Sequence, residues 1–232
     1  GVAHRARRVY DSNGRLVLPI RSGLSQSNSP LFSTKDRILG AAEELFARNG
    51  FAGASLRELT ATAKVNLAAV NYHFGSKDNL VNEVFRRRLD ELSAQRLHLL
   101  QSVLAKPKPT LEEILAAFIH PALLLSLDKS GGATFVRVLA RAYAEHNERL
   151  RKFLSENYGH VLKEFAAAFG AQLPHLDKEE LYWRIDIIAG ALTYAMADFG
   201  VIKRRAAMSE KIHRERAAEH LIRFAAAGLR AE

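Results

Sequence analysis

The sequence predicts an all-α protein with a three-helix, helix-turn-helix head at the N-terminal end and a larger helical domain after it. Apolar residues recur at intervals of three or four through most of the chain after residue 33, as in helices buried along one face. Capping residues precede several of these segments, as Ser55 does with Glu58 and Thr110 does with Glu113. No segment has the pattern of a strand. The predicted divisions are an extension at 1–33, the head at 34–80 and the helical domain at 81–232.

Composition limits the class of protein. The chain has 232 residues, 48% of them hydrophobic, which suits one small and one larger helical domain. The absence of cysteine excludes disulfides, thiolate ligands and thiolate nucleophiles, and is compatible with a reducing cytoplasm. No apolar run approaches the roughly 20 residues that cross a bilayer, and no apolar signal core follows a basic start. We therefore expect a cytoplasmic protein with no membrane partner.

The basic residues are unevenly distributed. The net charge is +9, and residues 1–33 hold five arginines against one aspartate. This segment lacks periodicity and is rich in Ser, Asn and Gly, which indicates a flexible extension with a possible short extended piece at 15–21. It is either a basic arm laid along DNA or an unstructured leader. Residues 34–79 hold six basic and five acidic side chains, so the head would bind nucleic acid through individual placed contacts.

The first predicted helix runs from Thr34 to Asn49. Ser33 or Thr34 can cap it, and Asp36 lies in its first turn, where the helix dipole favours an anion. Gly50 ends it. Its buried stripe consists of Ile38, Ala41, Ala42, Leu45 and Phe46. This helix would support the following pair without contacting bases.

The segment from Ser55 to Lys77 predicts two short helices joined by a three-residue turn. Ser55 caps the first helix, Lys64-Val65-Asn66 ends it, and Asn66 caps the second, 67–74. The buried positions are Leu56, Leu59 and Ala63 in the first helix, with Val65, Val70 and Phe74 around the second. The positions left facing outward are Leu67, Ala68, Ala69, Asn71, Tyr72 and His73. Such a pair, with a small and polar outer face, can enter the major groove of DNA.

A long helix is predicted from Lys77 to Lys106. Its first turn would present backbone N–H groups and the Lys77 ammonium together, which suits a DNA phosphate; the alternative is a solvated lysine. Arg86-Arg87-Arg88 is predicted to be a solvated surface. Pro121 is expected to kink or break the next predicted helix, 110–127, which contains it. The further predicted helices are 110–127, 133–146, 148–172, 178–203 and 209–228.

Aromatic residues of the C-terminal domain could enclose an apolar pocket with a few polar groups. Arg137 lies four residues before Arg141, so the pair could meet an acidic ligand group, or form a solvated basic stripe. The candidate pocket residues are Phe118, Phe135, Arg137, Tyr158, Trp183 and Tyr194.

The helices 178–203 and 209–228 have apolar faces wide enough to pack on more than one side. One explanation is a dimer interface of four helices, two from each subunit, and the alternative is a large monomeric core. The candidate interface residues are Ile188, Leu192, Leu221 and Phe224.

No feature supports an enzyme, a metal site or a cofactor. The nine histidines are scattered, without a spacing typical of metal ligands. Capping or solvation explains the adjacent carboxylates Glu43-Glu44, Glu112-Glu113 and Glu179-Glu180. The chain also lacks a glycine-rich phosphate loop and a nucleophile elbow.

Residues Thr34 to Leu80 resemble the DNA-binding head of the TetR family of bacterial transcriptional regulators. The matching pieces are Ile38-Leu39-Gly40-Ala41-Ala42, Leu45-Phe46, Asn49-Gly50-Phe51, Ser55-Leu56-Arg57-Glu58-Leu59, Val65-Asn66, Val70, His73-Phe74 and Ser76-Lys77. Two positions depart from the pattern. Lys64 stands where the family usually has Gly in the turn, and Asn71 stands where the family usually has a Tyr that contacts a phosphate.

The resemblance implies a homodimeric repressor that binds a pseudo-palindromic operator and is released by a small molecule. Arg57 matches a family position that can reach a base edge. The residues expected at double-stranded DNA are Ser55, Arg57, Leu67, Ala68, Ala69, Asn71, Tyr72, His73 and Lys77. Parts of the C-terminal half, including Glu148 to Leu154 and Glu180 to Arg184, resemble the fatty-acid-responsive (PsrA-like) branch, which implies a fatty acid or acyl-CoA as effector.

A second hypothesis belongs to another class. The chain could be a helical small-molecule-binding or acyl-processing protein whose head docks other proteins. Turnover of an acyl substrate, or DNA affinity no better than for random sequence, would favour that hypothesis.

Overall fold

The computed structural model describes residues 33–198 and 207–231, together with the backbone of two short strands near the N-terminus. Its helices are α1 (Thr34–Gly53), α2 (Leu56–Ala63), α3 (Leu67–Phe74), α4 (Lys77–Leu104), α5 (Leu111–Leu125), α6 (Gly132–Ala144), α7 (Glu148–Gln172), α8 (Lys178–Met196) and α9 (Glu210–Arg230). The predicted all-α fold is confirmed, and α7 has the predicted bounds.

A pair of two-residue strands corrects the expectation of no strand. Val9–Tyr10 (β1) pairs antiparallel with Leu16–Val17 (β2), with Val9 opposite Val17. The chain divides after Leu31 into two compact units, and this pair belongs to the first. Apart from Ser33, the rest of the predicted extension lies outside the described residues.

Local capping explains where the helices of the head begin. Ser33 caps α1 in a reciprocal box: its hydroxyl accepts from the Asp36 N–H at 3.1 Å, and its own N–H donates to the Asp36 carboxylate at 3.3 Å. Ser55 caps α2 by accepting from the Glu58 N–H at 3.1 Å. The predicted reciprocal bond is missing there, because the Glu58 carboxylate accepts instead from the Asn49 amide at 3.1 Å.

Gly50 ends the first helical run of α1, as predicted, because its backbone is not helical. Its φ of +74° is a left-handed value that glycine adopts without a Cβ penalty. One more helical turn follows this kink, so the element as a whole ends at Gly53.

Two of the C-terminal helices differ in extent from the predicted ones. Helix α5 runs unbroken through the buried Pro121, because its apolar face packs between α4 and α9 and outweighs one missing backbone bond. Helix α8 ends at Met196 and not near residue 203; Asp198, two residues later, has a left-handed φ of +58°.

The buried residues form two hydrophobic cores. The head core joins α1, α2, α3 and the start of α4 with residues of α6 and α7, including Phe135 and Phe153. The body core joins the rest of α4 and α7 with α5, α8 and α9, and with Val136 of α6. The head is therefore packed on α6 and α7 and is not a separate unit, and a domain boundary at residue 80 stays a prediction. Within the described ranges, no helix is long and apolar enough to cross a membrane.

Candidate nucleic-acid interface

Helices α2 and α3 are held on the head core by their inner faces. Leu59 and Ala63 of α2, and Val70 and Phe74 of α3, are at most 5% exposed. Because these positions take up one side of each helix, the opposite side of α3 faces outward.

The turn between the two helices has the conformation expected of a helix-turn-helix. Lys64 adopts φ 54° and ψ 50°, a left-handed conformation that glycine adopts readily and that a residue with a Cβ adopts only at a cost. The Val65 N–H donates to the Thr60 carbonyl at 3.0 Å. Asn66 caps α3 by accepting from the Ala69 N–H at 2.9 Å, as predicted.

The outer face of α3 is small, neutral and open. Tyr72 is 86% exposed and Leu67 is 49% exposed, with Ala68 and Asn71 exposed beside them. Ala69 and His73 are half-buried, and the His73 ring packs edge-on against Tyr72 with centroids 5.1 Å apart. Since α3 carries no carboxylate, nothing on it repels a phosphate.

Two residues predicted to contact DNA, Ser55 and Arg57, lie near the start of α2 and differ in whether their side chains already have a partner within the chain. The hydroxyl of Ser55 is exposed but already accepts the capping bond from Glu58. The side chain of Arg57 is exposed and has no ion-pair partner among the described residues. Glu58 is turned away towards Asn49 and Arg48, which leaves Arg57 without a nearby competing acid on α2.

Lys77 fastens the start of α4 to the loop before α2. Its ammonium donates to the Ala54 carbonyl at 2.6 Å, and the side chain is half-buried. The capping hydroxyl of Ser76 accepts from the Asn79 N–H at 3.1 Å. An ammonium has three donors, so two remain on Lys77 for a phosphate.

Comparison with known proteins agrees with this geometry. A profile of bacterial regulatory proteins of the tetR family matches residues 38–84, and a profile of the tetracyclin repressor-like C-terminal domain matches residues 116–228. The chain belongs to the TetR family of transcriptional regulators. The family consists of DNA-binding regulators and not of enzymes.

Individual TetR relatives match over different lengths. The transcriptional repressor Rv3405c of Mycobacterium tuberculosis is 46% identical over 65 residues, which is 28% of this chain and 32% of that protein. The chain therefore matches only about a third of that relative's length. The repressor AcnR of Corynebacterium diphtheriae is 29% identical over 131 residues, 53% of this chain and 68% of AcnR. The TetR-family regulator PfmR of Thermus thermophilus superposes with a TM-score of 0.57 at 20% identity, covering 87% of this chain and 98% of PfmR, and so shares the fold.

A buried ionic network joins the TetR head to the rest of the chain. Arg88 of α4 is 7% exposed and donates to Glu43 of α1 at 3.1 Å. It also donates to Asp128 at 2.9 Å and to the Ser130 carbonyl at 2.6 Å, in the turn between α5 and α6. Burial raises the pKa of Glu43, while the Arg88 charge opposes that rise. The predictions of a solvated Arg88 and an exposed Glu43 were wrong.

A second connection links α6 to the kink in α1. The Glu145 carboxylate accepts from the Phe51 N–H at 3.0 Å and from the Ala52 N–H at 3.2 Å. These are the free N–H groups of the turn that restarts after Gly50. One turn earlier on α6, Arg141 donates to the Arg48 carbonyl at 3.0 Å. Sequence reasoning missed these contacts because they join residues more than 90 positions apart.

The six predicted pocket residues do not meet in one cavity. Phe118 lies in the body core against Phe165, whereas Phe135 lies in the head core against Phe85. The Tyr158 hydroxyl donates to Asp90 at 2.6 Å. Trp183 and Tyr194 are 61% and 52% exposed on α8, and Arg137 is exposed on α6.

The predicted interface residues divide between core and surface. Ile188 and Leu192 are 8% and 3% exposed and belong to the body core of the chain itself. Leu221 is half-buried, and Phe224 is 72% exposed. We call four exposed apolar residues of these two helices the α8–α9 ridge: Trp183, Ile187, Tyr194 and Phe224.

Proposed function

We propose that this chain acts as a homodimeric repressor that binds a pseudo-palindromic operator and is released by a small apolar acid or acyl thioester. The observation that carries the proposal is the outer face of α3, where Tyr72 is 86% exposed and no described residue covers its neighbours Asn71 and Ala68. A neutral helix face of this kind, capped and supported from behind, suits the major groove.

Each exposed side chain has a part in the proposed reading of DNA. The methyl group of Ala68 and the apolar end of Leu67 suit thymine methyl groups, and Asn71 can pair with a base edge or a phosphate. Tyr72 and His73 suit phosphate oxygens. Arg57 reaches a base edge from α2, where a bidentate contact to guanine discriminates by about 1–3 kcal/mol.

The α8–α9 ridge supports the proposed dimer. Four large apolar side chains, each more than half exposed, lie on neighbouring helices, and such a patch marks an interaction site on a stable protein. Gly190 of α8 and Gly228 of α9 have no atom within 4 Å of a Cβ position, so a second copy could approach closely. A two-fold axis through the ridge would present two α3 helices to one DNA.

Release by a ligand requires that the ligand prefers one spacing of the two heads. A ligand shifts such an equilibrium only by its difference in affinity for the two states. Effectors of TetR regulators are small molecules, and the sequence resemblance of the C-terminal half supports an acyl compound.

The test is selection of genomic DNA fragments by the purified chain, followed by affinity measurements on the best fragment across a salt series. We expect a two-fold symmetric site, and binding that weakens steeply as salt rises. The matched control is the same fragment with its symmetric bases shuffled. Sedimentation of the free chain and of a Phe224→Glu variant measures the dimer separately.

Equal binding to the original and shuffled fragments would contradict the operator proposal and favour a head that docks proteins. Sedimentation of the wild-type chain as a monomer at all concentrations, with and without DNA, would contradict the dimer.

A further inference from the structure

A cleft of about 660 Å³ opens between α6, α8 and α9. Its volume falls within the roughly 300–1,000 Å³ typical of small-molecule sites. The lining is mostly apolar and includes Val136 and Ala140 of α6, Met196 of α8 and Ala47 of α1. The cleft contains only one of the predicted pocket residues, Arg137.

Three arginines line this cleft. Arg137 and Arg141 lie one turn apart on α6 and have no carboxylate partner among the described residues; they donate only to the Thr134 hydroxyl and to the Arg48 carbonyl. Two guanidinium groups beside an apolar surface therefore remain available to an anion.

The third arginine, Arg214 of α9, is 6% exposed. It donates to the Ala195 carbonyl at 2.5 Å, and its Nε has no hydrogen-bond partner among the described residues. Its nearest carboxylate, Asp198, stands 3.7 Å away, is 53% exposed and is shared with His213. A buried guanidinium with an unsatisfied donor and only a distant acid favours an additional negative charge nearby.

Two carboxylates also line the cleft, those of Asp198 and Glu210. Asp198 is already shared between two basic side chains, and Glu210 lies in the first turn of α9, where the helix dipole stabilises its charge. The three arginines therefore leave the cleft with an excess of positive charge.

The position of the cleft links it to the head. Helix α6 is attached to the head by Glu145 and by the fully buried Phe135 and Val138, whereas α8 and α9 belong to the body core. The cleft thus lies where the head with α6 meets the body. Arg141, which lines it, also donates to the head at the Arg48 carbonyl.

From these observations we infer that the cleft binds an amphiphile with one anionic head group and an apolar body, and that Arg141 leaves the Arg48 carbonyl to hold that anion. This inference rests on the proposed function and assigns its effector site and ligand class. Binding changes the position of α6 and the head relative to α8 and α9, and so changes DNA affinity. By linkage, DNA changes the affinity for the amphiphile by the same factor.

Calorimetric titration of the full chain with decanoate tests the site without DNA. Decanol and decyltrimethylammonium are the neutral and cationic controls of equal chain length. Decanoate should bind at least about tenfold more tightly than either control, a difference that reports recognition of the anion. Equal binding of decanoate and decanol would overturn the assigned ligand class.

Two exposed positions on α6 locate the site. Arg141→Glu removes a proposed anion contact, and Ala140→Trp fills the cleft from a surface position that a folded chain tolerates. Each variant should lower the affinity for decanoate by at least about tenfold. The matched control Arg151→Glu reverses an exposed arginine of α7 that lines no part of the cleft, and should change affinity by less than about twofold. Unchanged affinity in Ala140→Trp would place the ligand elsewhere.

The regulatory part is tested on the selected DNA fragment. Saturating decanoate should change the DNA affinity of the wild-type chain by at least about fivefold, and leave that of Ala140→Trp unchanged. If the chain binds decanoate through these residues but selects no DNA, the proposed function fails while the site stands. If DNA and decanoate each bind without affecting one another, the link to the head is refuted.

Discussion

The ion pair between Arg88 and Glu43 predicts a large loss of stability when one partner is removed. Arg88→Met leaves a carboxylate that is only 4% exposed without its counter-charge. Breaking a buried pair in this way costs about 3–5 kcal/mol, because the remaining charge is neither solvated nor paired. Asp128, the second acid at Arg88, is 39% exposed, so water can solvate it and it adds little to the cost.

Removing both partners should cost much less than the sum of the single changes. The double variant Glu43→Met with Arg88→Met has no buried charge left, and methionine can fill both positions with apolar atoms. We expect a coupling free energy of about 1–3 kcal/mol between the two sites. Urea unfolding of the four proteins, followed by circular dichroism, measures this cycle, with equal m-values as the check that unfolding remains cooperative.

The pH dependence supplies an independent readout. Because burial raises the folded-state pKa of Glu43, its contribution favours folding at low pH and is lost as pH rises from about 4.5 through the folded value. In Arg88→Met the positive charge that opposes this rise is absent, so the folded-state pKa of Glu43 rises further. The stability difference between wild type and Arg88→Met should therefore shrink as pH falls from about 7 towards 4.5.

Arg87→Met is the matched control, since it makes the same change at the neighbouring, half-buried position. It should alter the free energy of unfolding by no more than about 0.5 kcal/mol. The reasoning is refuted if Arg88→Met loses no more than Arg87→Met does, or if its loss does not depend on pH.

Five further predictions concern single side chains. Lys64→Gly should raise the free energy of unfolding by about 1 kcal/mol in urea titrations, because it relieves a left-handed residue; a loss of stability would contradict this. Glu145→Ala should lower it by about 1.5–3 kcal/mol, since two backbone donors lose a charged acceptor, and an unchanged midpoint would count against that contact. In fluorescence anisotropy, Tyr72→Phe should lower the binding affinity for all DNA sequences alike. Arg57→Ala should lose about 1–3 kcal/mol of preference at one base position. Unchanged base preferences in Arg57→Ala would show that Arg57 does not contact a base. Phe224→Glu should shift sedimentation towards the monomer while the helical circular dichroism of the chain is retained, because the side chain is 72% exposed.

Much of the head could be predicted because its signals are local. A capping side chain acts on a backbone N–H three residues away, so Asn66 and Thr110 identify helix starts from sequence alone. The exposed face of α3 follows from helical periodicity once Val70 and Phe74 are known to face inward. The absence of the predicted reciprocal bond at Ser55 could not be foreseen from the sequence, because Asn49 on another helix competes for Glu58.

The connections between head and body could be predicted only in part. Glu43 follows Leu39 by four residues and Arg88 follows Phe85 by three, so each continues a buried apolar stripe. A charged residue at such a position signals a buried partner, but spacing along one helix does not identify which partner. The α8–α9 ridge shows the same limit. Ile188 and Ile187 are adjacent isoleucines, and only the packing of α8 on α5 and α9 decides that Ile188 is buried and Ile187 is exposed.

The two cores restrict which parts of the chain can move in regulation. Helix α4 contributes residues to both cores, so it connects the head to the body. Helix α6 is attached more tightly to the head than to the body. Its contacts with the head are those of Phe135, Val138 and the Glu145 carboxylate, whereas Val136 alone of its buried residues belongs to the body core. Rotation of the head about α4 must therefore carry α6 with it, since breaking those contacts would expose fully buried side chains.

The cost of such a rotation then falls on the contacts between α6 and the body. Among the α6 residues, Val136 is the one that the body core includes, and it also lines the cleft. A ligand in the cleft replaces the contacts that Val136 would lose, so it can favour the rotated state without disturbing either core. A change at Val136 should therefore alter the spacing of the heads even without ligand. Val136→Ala weakens the α6–body contact and should reduce DNA affinity in the absence of decanoate, while an unchanged affinity would place the moving joint elsewhere.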